Sequence, residues 1–219
     1  MTGSELTQRL KLIGFRFGEF RRPMVRRRKL FIDIEETLIV AASEVPRDPR
    51  LFSSLLTWFE IHGDYVLFDK LQKRLRKFGN QNATIWTNAV LIHAAHKGFH
   101  QAKRWIYSSK EPVFLYPEEV TRSAIELKGA IQYFEEMNYL IPEGSIRIRE
   151  SDVFTREELL KDNRQYRNRY LYGASWRADI ITAIEFGMTS PTEISKRLGC
   201  SYEPAHRVWN EYRMVKKAA

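Results

Sequence analysis

The strongest constraint on the fold of this chain is a short segment near its C-terminus, SPTEISKRLGCSYEPAHRVWNEY at residues 190–212. Ser190 suits a helix N-cap, Pro191 suits the first helical position, and Glu193 stands three residues after the cap. This is the S-x-x-E capping box, in which each side chain satisfies an otherwise unpaired backbone N–H. Gly199 follows where the backbone must turn sharply, often with positive φ. The segment therefore predicts two short helices joined by a tight turn.

Apolar residues recur at helical spacing in both of these helices and in a third one ahead of them. The first helix has Ile194 and Leu198 four residues apart, and Ser201 begins a second helix. The other apolar positions are Ala205, Val208 and Tyr212 in the second helix, and Trp176, Ile180, Ile181 and Ile184 ahead of both. Three such helices with a glycine turn between the last two are typical of a helix-turn-helix that reads DNA. The alternative is a helical hairpin within a larger core.

The same residues carry a resemblance to a known class of regulators. TEISKRLGCSYEPAHRVWNEY resembles the helix-turn-helix of MarR- and ArsR-type winged-helix regulators, and YLYGASWRADIITAIEF resembles the helix that opens that module. The resemblance covers about a quarter of the chain. It implies that the helix beginning at Ser201 enters the major groove of DNA, from a two-fold homodimer. Only MVKKAA follows Arg213, so we expect the β-hairpin wing of those families to be minimal or absent.

The outward face of this second helix supplies the candidate residues for DNA recognition. Arginine pairs with guanine, asparagine with adenine, and glutamate accepts from cytosine. The predicted base-reading residues are Tyr202, Glu203, His206, Arg207 and Asn210. The predicted phosphate contacts are Thr192, Lys196, Arg197, Ser201 and Arg213, together with Arg21, Arg22, Arg26, Arg27 and Arg28 near the N-terminus.

Charge is distributed in a way that agrees with a nucleic-acid partner. The net charge is +9; residues 1–32 hold nine Lys and Arg against two acids, and residues 164–219 hold ten against five. Residues 33–163 are slightly acidic, with seventeen Lys and Arg against twenty acids. Basic ends are expected where a protein approaches phosphates, because neutralised phosphates release counterions. A solvated basic surface is the alternative.

We divide the chain into a basic Arg-rich arm at 1–32, a helical body at 33–163 and a helix-turn-helix domain at 164–219. Within the arm, residues 15–31 interleave six arginines with Phe15, Phe17 and Phe20. It suits a minor groove or a phosphate track, and equally the acidic residues of the body or of a partner. We expect its aromatic rings to dock on the protein.

Helical periodicity dominates the body, and the predicted fold class is mainly α: a helical N-terminal bundle plus a C-terminal tri-helical unit. Predicted helices lie at 51–59, 67–78, 85–96, 99–107, 120–139 with a break near Gly129, and 154–160 with a Thr155 cap. Alternating Ile146, Arg147, Ile148 and Arg149 predict a short strand near 145–150. The polar stretch 161–170 is either a linker or a helix leading into the C-terminal domain.

Two other groups of residues offer competing chemistry. Residues 30–40, LFIDIEETLIV, resemble the entry motif of haloacid-dehalogenase phosphatases, with Asp33 as the nucleophile. Glu35 and Glu36 stand where that motif has a second aspartate and a glycine, so the alternative is a helix N-terminus whose acids favour the dipole. His93, His96 and His100 are spaced for one face of a helix and for zinc, although Gly98 interrupts them and surface histidines are the alternative.

We interpret the chain as a sequence-specific double-stranded DNA-binding transcriptional regulator, a repressor that is autoregulatory or antitoxin-like, and not an enzyme. We expect no cofactor, a homodimer, and a protein partner through residues 33–163. The single Cys200, the lack of a secretory signal and the lack of a membrane-length apolar run indicate a cytoplasmic, nucleoid-associated protein without membrane contact. The alternatives are an interaction protein of a toxin–antitoxin or defence system, and a metal-dependent nucleic-acid enzyme or phosphatase using Asp33.

Overall fold

Helices make up most of the structure, which is a computed structural model that describes residues 3–16 and 31–218. The α-helices in these ranges are α1 Gly3–Leu12, α2 Ile34–Ser43, α3 Arg50–His62, α4 Phe68–Phe78, α5 Gln81–His96, α6 Glu118–Lys128, α7 Gln132–Glu135, α8 Arg156–Asp162, α9 Arg164–Tyr172, α10 Trp176–Glu185, α11 Pro191–Leu198 and α12 Tyr202–Ala218. Two strands of two residues each, β1 Val113–Phe114 and β2 Tyr139–Leu140, pair in parallel. Short 3-10 turns lie at Gly63–Tyr65, His100–Arg104 and Glu150–Asp152. The predicted mainly α fold class is confirmed.

Several helix boundaries lie where short-range chemistry predicts them. Thr155 begins α8 with a complete capping box, in which its hydroxyl accepts from the Glu158 N–H and the Glu158 carboxylate accepts from the Thr155 N–H. Asn80 caps α5 with a single bond, in which its side chain accepts from the Ala83 N–H at 2.9 Å. Gly79 ends α4 in the left-handed region at φ 64°. These caps satisfy backbone groups that a helix end would otherwise leave unpaired.

The body packs around α5, which contacts α2, α3 and α4 and has its middle turns fully buried. Trp58 of α3 is one of the largest buried side chains. Its indole N–H donates to the Ile13 carbonyl at 2.7 Å, and the Phe15 ring stacks on it with centroids 6.2 Å apart. The aromatic Phe15 therefore docks on the protein, as expected from the sequence.

The first helix belongs to this core. Leu6 and Leu10, four residues apart on α1, are buried, and so is Ile13. An arm beginning at residue 1 is therefore wrong for residues 3–16, because their apolar stripe packs on the body. The arginine-rich part of the predicted arm, residues 17–30, lies outside the described residues.

The last part of the body differs from the predictions at the expected strand. No strand forms at residues 145–150, which the structure describes, because side chains of α3 take up the backbone bonds: the N–H groups of Arg147 and Arg149 donate to Ser53 Oγ at 3.2 Å and Thr57 Oγ1 at 3.3 Å. The helix predicted at 120–139 breaks near Gly129, as expected. It ends at Lys128, before Gly129 with φ 83°, and the chain then forms α7 and β2.

Residues 161–170 are not a linker. From Arg164 onward they form α9, capped by Asn163, whose side chain accepts from the Tyr166 N–H at 2.9 Å. Tyr166, Asn168 and Arg169 on this helix are buried. Arginine and asparagine within a run of polar residues are expected to be exposed to solvent. Here the neighbouring helices cover them and bury their side chains. The body therefore continues into the C-terminal helices through packed structure.

His62 is buried where α3 meets the start of α8 and α9. Its Nε2–H donates to the Phe154 carbonyl at 2.9 Å, which leaves Nδ1 to accept from the Tyr166 hydroxyl at 2.8 Å. Burial is the main cause that lowers the pKa of His62 from 6.5 to about 4, and it outweighs the carbonyl bond, which favours the proton. The imidazole is therefore neutral at physiological pH and uses both nitrogens for structural bonds.

We predict that the free energy of unfolding falls as the pH drops from about 6.5 to about 4. In that range the unfolded state binds a proton at His62 and the folded state does not. The stabilisation that neutral His62 contributes is complete above about pH 6.5, the pKa of an unfolded histidine, and amounts there to about 3 kcal/mol. It is lost as the pH falls to about 4. Urea unfolding at several pH values measures it. His62→Gln should lower stability at neutral pH and flatten the dependence, leaving the smaller share of His93, whose pKa burial also lowers. An unchanged slope in His62→Gln would contradict this assignment.

Candidate nucleic-acid interface

The last three helices form a small unit with its own core. Ile180 of α10, Ile194 and Leu198 of α11, and Ala205 and Val208 of α12 are all buried against one another. Trp176, Ile184 and Tyr212 pack around them, half-buried. The apolar stripes predicted for the three helices therefore meet in one cluster.

The turn between α11 and α12 has the backbone geometry that its glycine predicts. Gly199 has φ 78° and ψ 21°, in the left-handed region, and its N–H donates to the Ser195 carbonyl at 2.8 Å. A Cβ added there would meet no atom within 4 Å. Glycine is therefore required by the backbone conformation and not by lack of space.

The start of α11 uses a variant of the predicted capping box. The Ser190 hydroxyl accepts from the Glu193 N–H at 3.2 Å, as expected. The Glu193 carboxylate, however, accepts from the N–H of Thr189 at 2.9 Å, one residue before the cap. Both bonds anchor the chain that leads from α10 into α11.

All five predicted base-reading residues are exposed on α12. Their face lies opposite Ala205 and Val208, which are buried. The predicted phosphate contacts Thr192, Lys196, Arg197, Ser201 and Arg213 are exposed as well. The other predicted phosphate contacts, Arg21, Arg22, Arg26, Arg27 and Arg28, lie outside the described residues.

The side chains on the exposed face of α12 contact one another. The rings of Tyr202 and His206 stack with centroids 5.6 Å apart, and the Asn210 amide lies 3.1 Å from His206 Nε2. Arg207 Nη1 lies 4.0 Å from a Glu203 carboxylate oxygen. Exposed contacts of this kind are weak, so these groups exchange them readily for other partners. Beyond this face, residues 213–218 continue α12 as a helix.

Asp33, the candidate nucleophile, is buried at the start of α2. Its Oδ1 accepts from the Glu36 N–H at 3.1 Å, which makes it the N-cap of the helix. Its Oδ2 lies 2.9 Å from Lys70 Nζ and 3.1 Å from Arg74 Nη2. Burial alone would raise the pKa of Asp33, but these two cations outweigh it and hold the pKa below its ordinary value. Both carboxylate oxygens therefore serve structural contacts.

Asp33 belongs to a larger cluster of buried charges, in which Glu35, Lys70, Arg169 and Asp179 are fully buried. Lys70 Nζ also lies 2.6 Å from Asp179 and 3.2 Å from Glu35. The Arg169 guanidinium bridges both carboxylates: Nε and Nη2 donate to Asp179 at 2.8 Å, and Nη2 donates to Glu35 at 2.9 Å. We call Asp33, Glu35, Lys70, Arg74, Arg169 and Asp179 the buried charge cluster; its three acids balance its three cations.

The buried charge cluster joins the body to the C-terminal helices. Asp33 and Glu35 come from α2 and Lys70 from α4, whereas Arg169 lies on α9 and Asp179 on α10. Burial alone would raise the pKa of Asp179, but Arg169 and Lys70 hold it well below its ordinary value. Burial alone would lower the pKa of Lys70, but the carboxylates of Asp179, Asp33 and Glu35 outweigh it and raise that pKa above its ordinary value. Asp33, Lys70, Arg169 and Asp179 are therefore ionised at neutral pH.

Two further contacts extend this junction towards the predicted DNA-binding unit. Arg74 Nη2 donates to the Arg197 carbonyl at 2.8 Å, at the end of α11. Lys73 Nζ lies 5.2 Å from the centroid of the Trp176 ring on α10. The body therefore holds α10 and α11 directly.

Sequence reasoning found the two acids at the start of α2 but missed their partners. Lys70 and Arg74 lie on α4 beside Leu71 and Leu75, which form part of its apolar stripe. Cations next to an apolar stripe were the sequence pattern that could have indicated buried charges. Asp179 likewise stands beside Ile180 in an apolar helix. No comparable pattern marks Arg169, which lies among other polar residues.

The three histidines considered for zinc take up separate roles. His93 is buried between Glu60 and Tyr133, with both contacts at 2.8 Å. His96 is exposed and stacks on the Tyr133 ring, and His100 follows Gly98, where the helix has ended. Among the described residues, no group of three His, Cys, Asp or Glu side chains is placed to hold a metal ion.

Comparison of the chain with protein-family models, with curated proteins and with solved structures found no match. Within residues 3–16 and 31–218, no helix is long and apolar enough to cross a bilayer.

We predict that Arg169→Met destabilises the protein by about 3–5 kcal/mol, because it leaves two buried carboxylates without their main partner. Urea unfolding of the full chain measures the loss. Arg177→Met is the matched control: Arg177 pairs with Glu211 across α10 and α12, but both side chains are exposed, so the cost should stay below about 1 kcal/mol. Equal losses in the two variants would show that the cluster does not hold the helices together.

Proposed function

We propose that the protein is a sequence-specific double-stranded DNA-binding regulator that represses transcription, with α12 as the recognition helix. The observation that carries this proposal is the exposed face of α12. Five polar or aromatic side chains stand together on the first three turns of a helix whose opposite face is packed on α10 and α11. A helix held in this way can enter a major groove with its first turns facing the base edges.

The chemistry of that face suits base recognition. The Arg207 guanidinium can donate two bonds to guanine, and the Asn210 amide can bond to both adenine N6 and N7. Glu203 can accept from cytosine N4. Because their present partners on the helix are exposed and weakly held, little free energy is lost when DNA replaces them.

Residues next to this face suit the DNA backbone. Thr192 lies in the first turn of α11, and Lys196 and Arg197 in its last turn, all exposed. Phosphate contacts set the register of a recognition helix without reading sequence. We propose that they orient α12, and that a homodimer places two such helices on a pseudo-palindromic site.

The buried charge cluster supports this function by fixing the module to the body. Base readout needs side chains placed within about half an ångström of their targets, which a rigid support provides. Contacts from α4 to α10 and α11 give that support here. The helix-turn-helix is therefore presented by the body as one unit.

We predict that Arg207→Ala and Asn210→Ala each relax the sequence preference at one base pair and weaken specific binding by about 1–3 kcal/mol. The target site is first selected from a random pool of duplexes with the wild-type chain, and affinities are then measured by mobility shift at fixed salt.

Arg122→Ala is the matched control for Arg207→Ala, because Arg122 also pairs with a glutamate four residues earlier on an exposed helix face. It should leave affinity and preference unchanged. A double Arg207→Ala, Asn210→Ala variant with wild-type preference would show that α12 is not the recognition helix. A wild-type chain that selects no site would favour an interaction protein over a regulator.

We predict that the arginine-rich segment binds phosphates without sequence preference. Replacing Arg21, Arg22, Arg26, Arg27 and Arg28 with Gln should weaken binding to all duplexes alike and reduce the salt slope by about 0.9 for each phosphate that is no longer neutralised. Replacement is cleaner than truncation, because α1 belongs to the core. An unchanged slope would remove this segment from the interface.

A further inference from the structure

Helix α6 buries few of its side chains against the rest of the protein. Of its eleven residues only Thr121 is buried, and the Thr121 hydroxyl serves to hold the helix to the preceding loop by donating to the Tyr116 carbonyl at 3.0 Å. Leu127 is 84% exposed and Val120 is 55% exposed. Leu127 is the most exposed large apolar side chain among the described residues, so this side of α6 is a candidate surface for another molecule.

Apolar residues on the outer side of α6 form a stripe. Val120, Ala124 and Leu127 recur at i, i+4 and i+7, which places them on one face of the helix. Glu119 and Glu126 both lie on one flank of that face, seven residues apart. We call these five residues the α6 stripe. Lys128 is exposed on the opposite flank, so a groove with an apolar floor and cations along one rim suits the stripe.

Two α6 stripes are poor partners for each other. In an antiparallel pair related by a two-fold axis, the same flank of each helix faces its copy, so Glu126 would lie beside Glu119 of the other molecule. Like charges held in this way repel and weaken the pair. The stripe therefore needs a different surface.

A surface of the required kind lies on this protein, in a cleft between α9, the turn after α10, and α12. The cleft has a volume of about 880 Å³. Trp209 and Tyr212 are half-buried in its wall, and Leu171 and Tyr172 at its edge are 65% and 48% exposed. The cations that line it are Arg164, Arg167, Arg213 and Lys216. Glu185 also lines the cleft, but it already accepts from Asn168 at 3.0 Å and lies 3.8 Å from Arg164.

We propose that the α6 stripe of one molecule docks in the α9–α12 cleft of a second copy of this chain. Val120 and Leu127 pack against the apolar edge and wall of the cleft, and Glu119 and Glu126 face its cations. This is the helix-in-groove mode of recognition, with charge complementarity selecting the partner. When the α6 stripe of each molecule occupies the α9–α12 cleft of the other, the two contacts are equal and close a two-fold dimer.

This contact identifies the surface of the homodimer and rests on that part of the proposed function. It would place Arg213 and Lys216 at the subunit contact, on the side of α12 next to its base-reading face. Association through the cleft would then set the spacing and direction of the two recognition helices.

The test is the mass of the full chain in solution without DNA, measured by sedimentation over a range of concentrations. The wild-type chain should form a dimer that dissociates on dilution. Glu126→Arg and Lys216→Glu should each raise the dissociation constant about tenfold or more, since each puts like charges in contact. The double variant Glu126→Arg, Lys216→Glu should restore association, because the reversed charges again oppose each other.

Glu118→Arg is the matched control, with the same charge change on the far side of α6, where Glu118 pairs with Arg122. It should leave association unchanged, and thermal unfolding should be the same in all variants because the sites are exposed. Leu127→Lys tests the apolar contact and should likewise raise the dissociation constant about tenfold or more.

The proposal would be overturned by a wild-type chain that stays monomeric at high concentration, or by a dimer that neither reversal weakens. A double variant no better than the single ones would overturn it too. Because no DNA is present, these results are independent of the site-selection experiment. A monomer that still selects a DNA sequence would refute this contact and leave the recognition helix standing.

Discussion

The buried charge cluster is the interaction on which the arrangement of the helices depends. Its members come from four helices, α2, α4, α9 and α10, that are far apart in the chain. Removing ions from water costs several kcal/mol for each, and attraction offsets this only when every group is paired. Here Arg169 and Lys70 each bridge two or more carboxylates. Displacing one of the four helices would therefore leave buried charges on the other three without a partner. The cluster therefore favours one mutual arrangement of the body and the C-terminal helices.

The proposed function follows from what this arrangement exposes. With α10 and α11 held by the body, α12 buries Ala205 and Val208 and leaves a polar face to solvent. The same packing forms the α9–α12 cleft beside that face. Base recognition and association through the cleft would thus use two adjacent sides of one helix. In that case a change in the dimer contact would affect how both recognition helices meet the DNA.

Local chemistry explains most of what the sequence predicted correctly. The C-terminal ends of α4 and α5 and the cap of α8 follow from apolar spacing and from end signals such as Thr155 and Gly79. The exposed face of α12 follows from the same periodicity, because it is the side opposite the apolar stripe. The strand near 145–150 was wrong for a non-local reason. Alternation alone does not make a strand, and here α3 supplies the hydrogen-bond partners from Ser53 and Thr57.

Residues a few positions apart were enough to predict most of the longer helices, the Thr155 and Ser190 caps, the glycine turn and the apolar faces of α10, α11 and α12. The burial of the N-cap Asp33, the packing of one face of α1 and α9 on the body, and the exposure of α6 could be seen only in the folded chain. Those outcomes depend on which helices become neighbours. Arg169 shows the reason: its polar surroundings in sequence favour solvent, and burial is tolerated only because Glu35 and Asp179 meet it from two other helices.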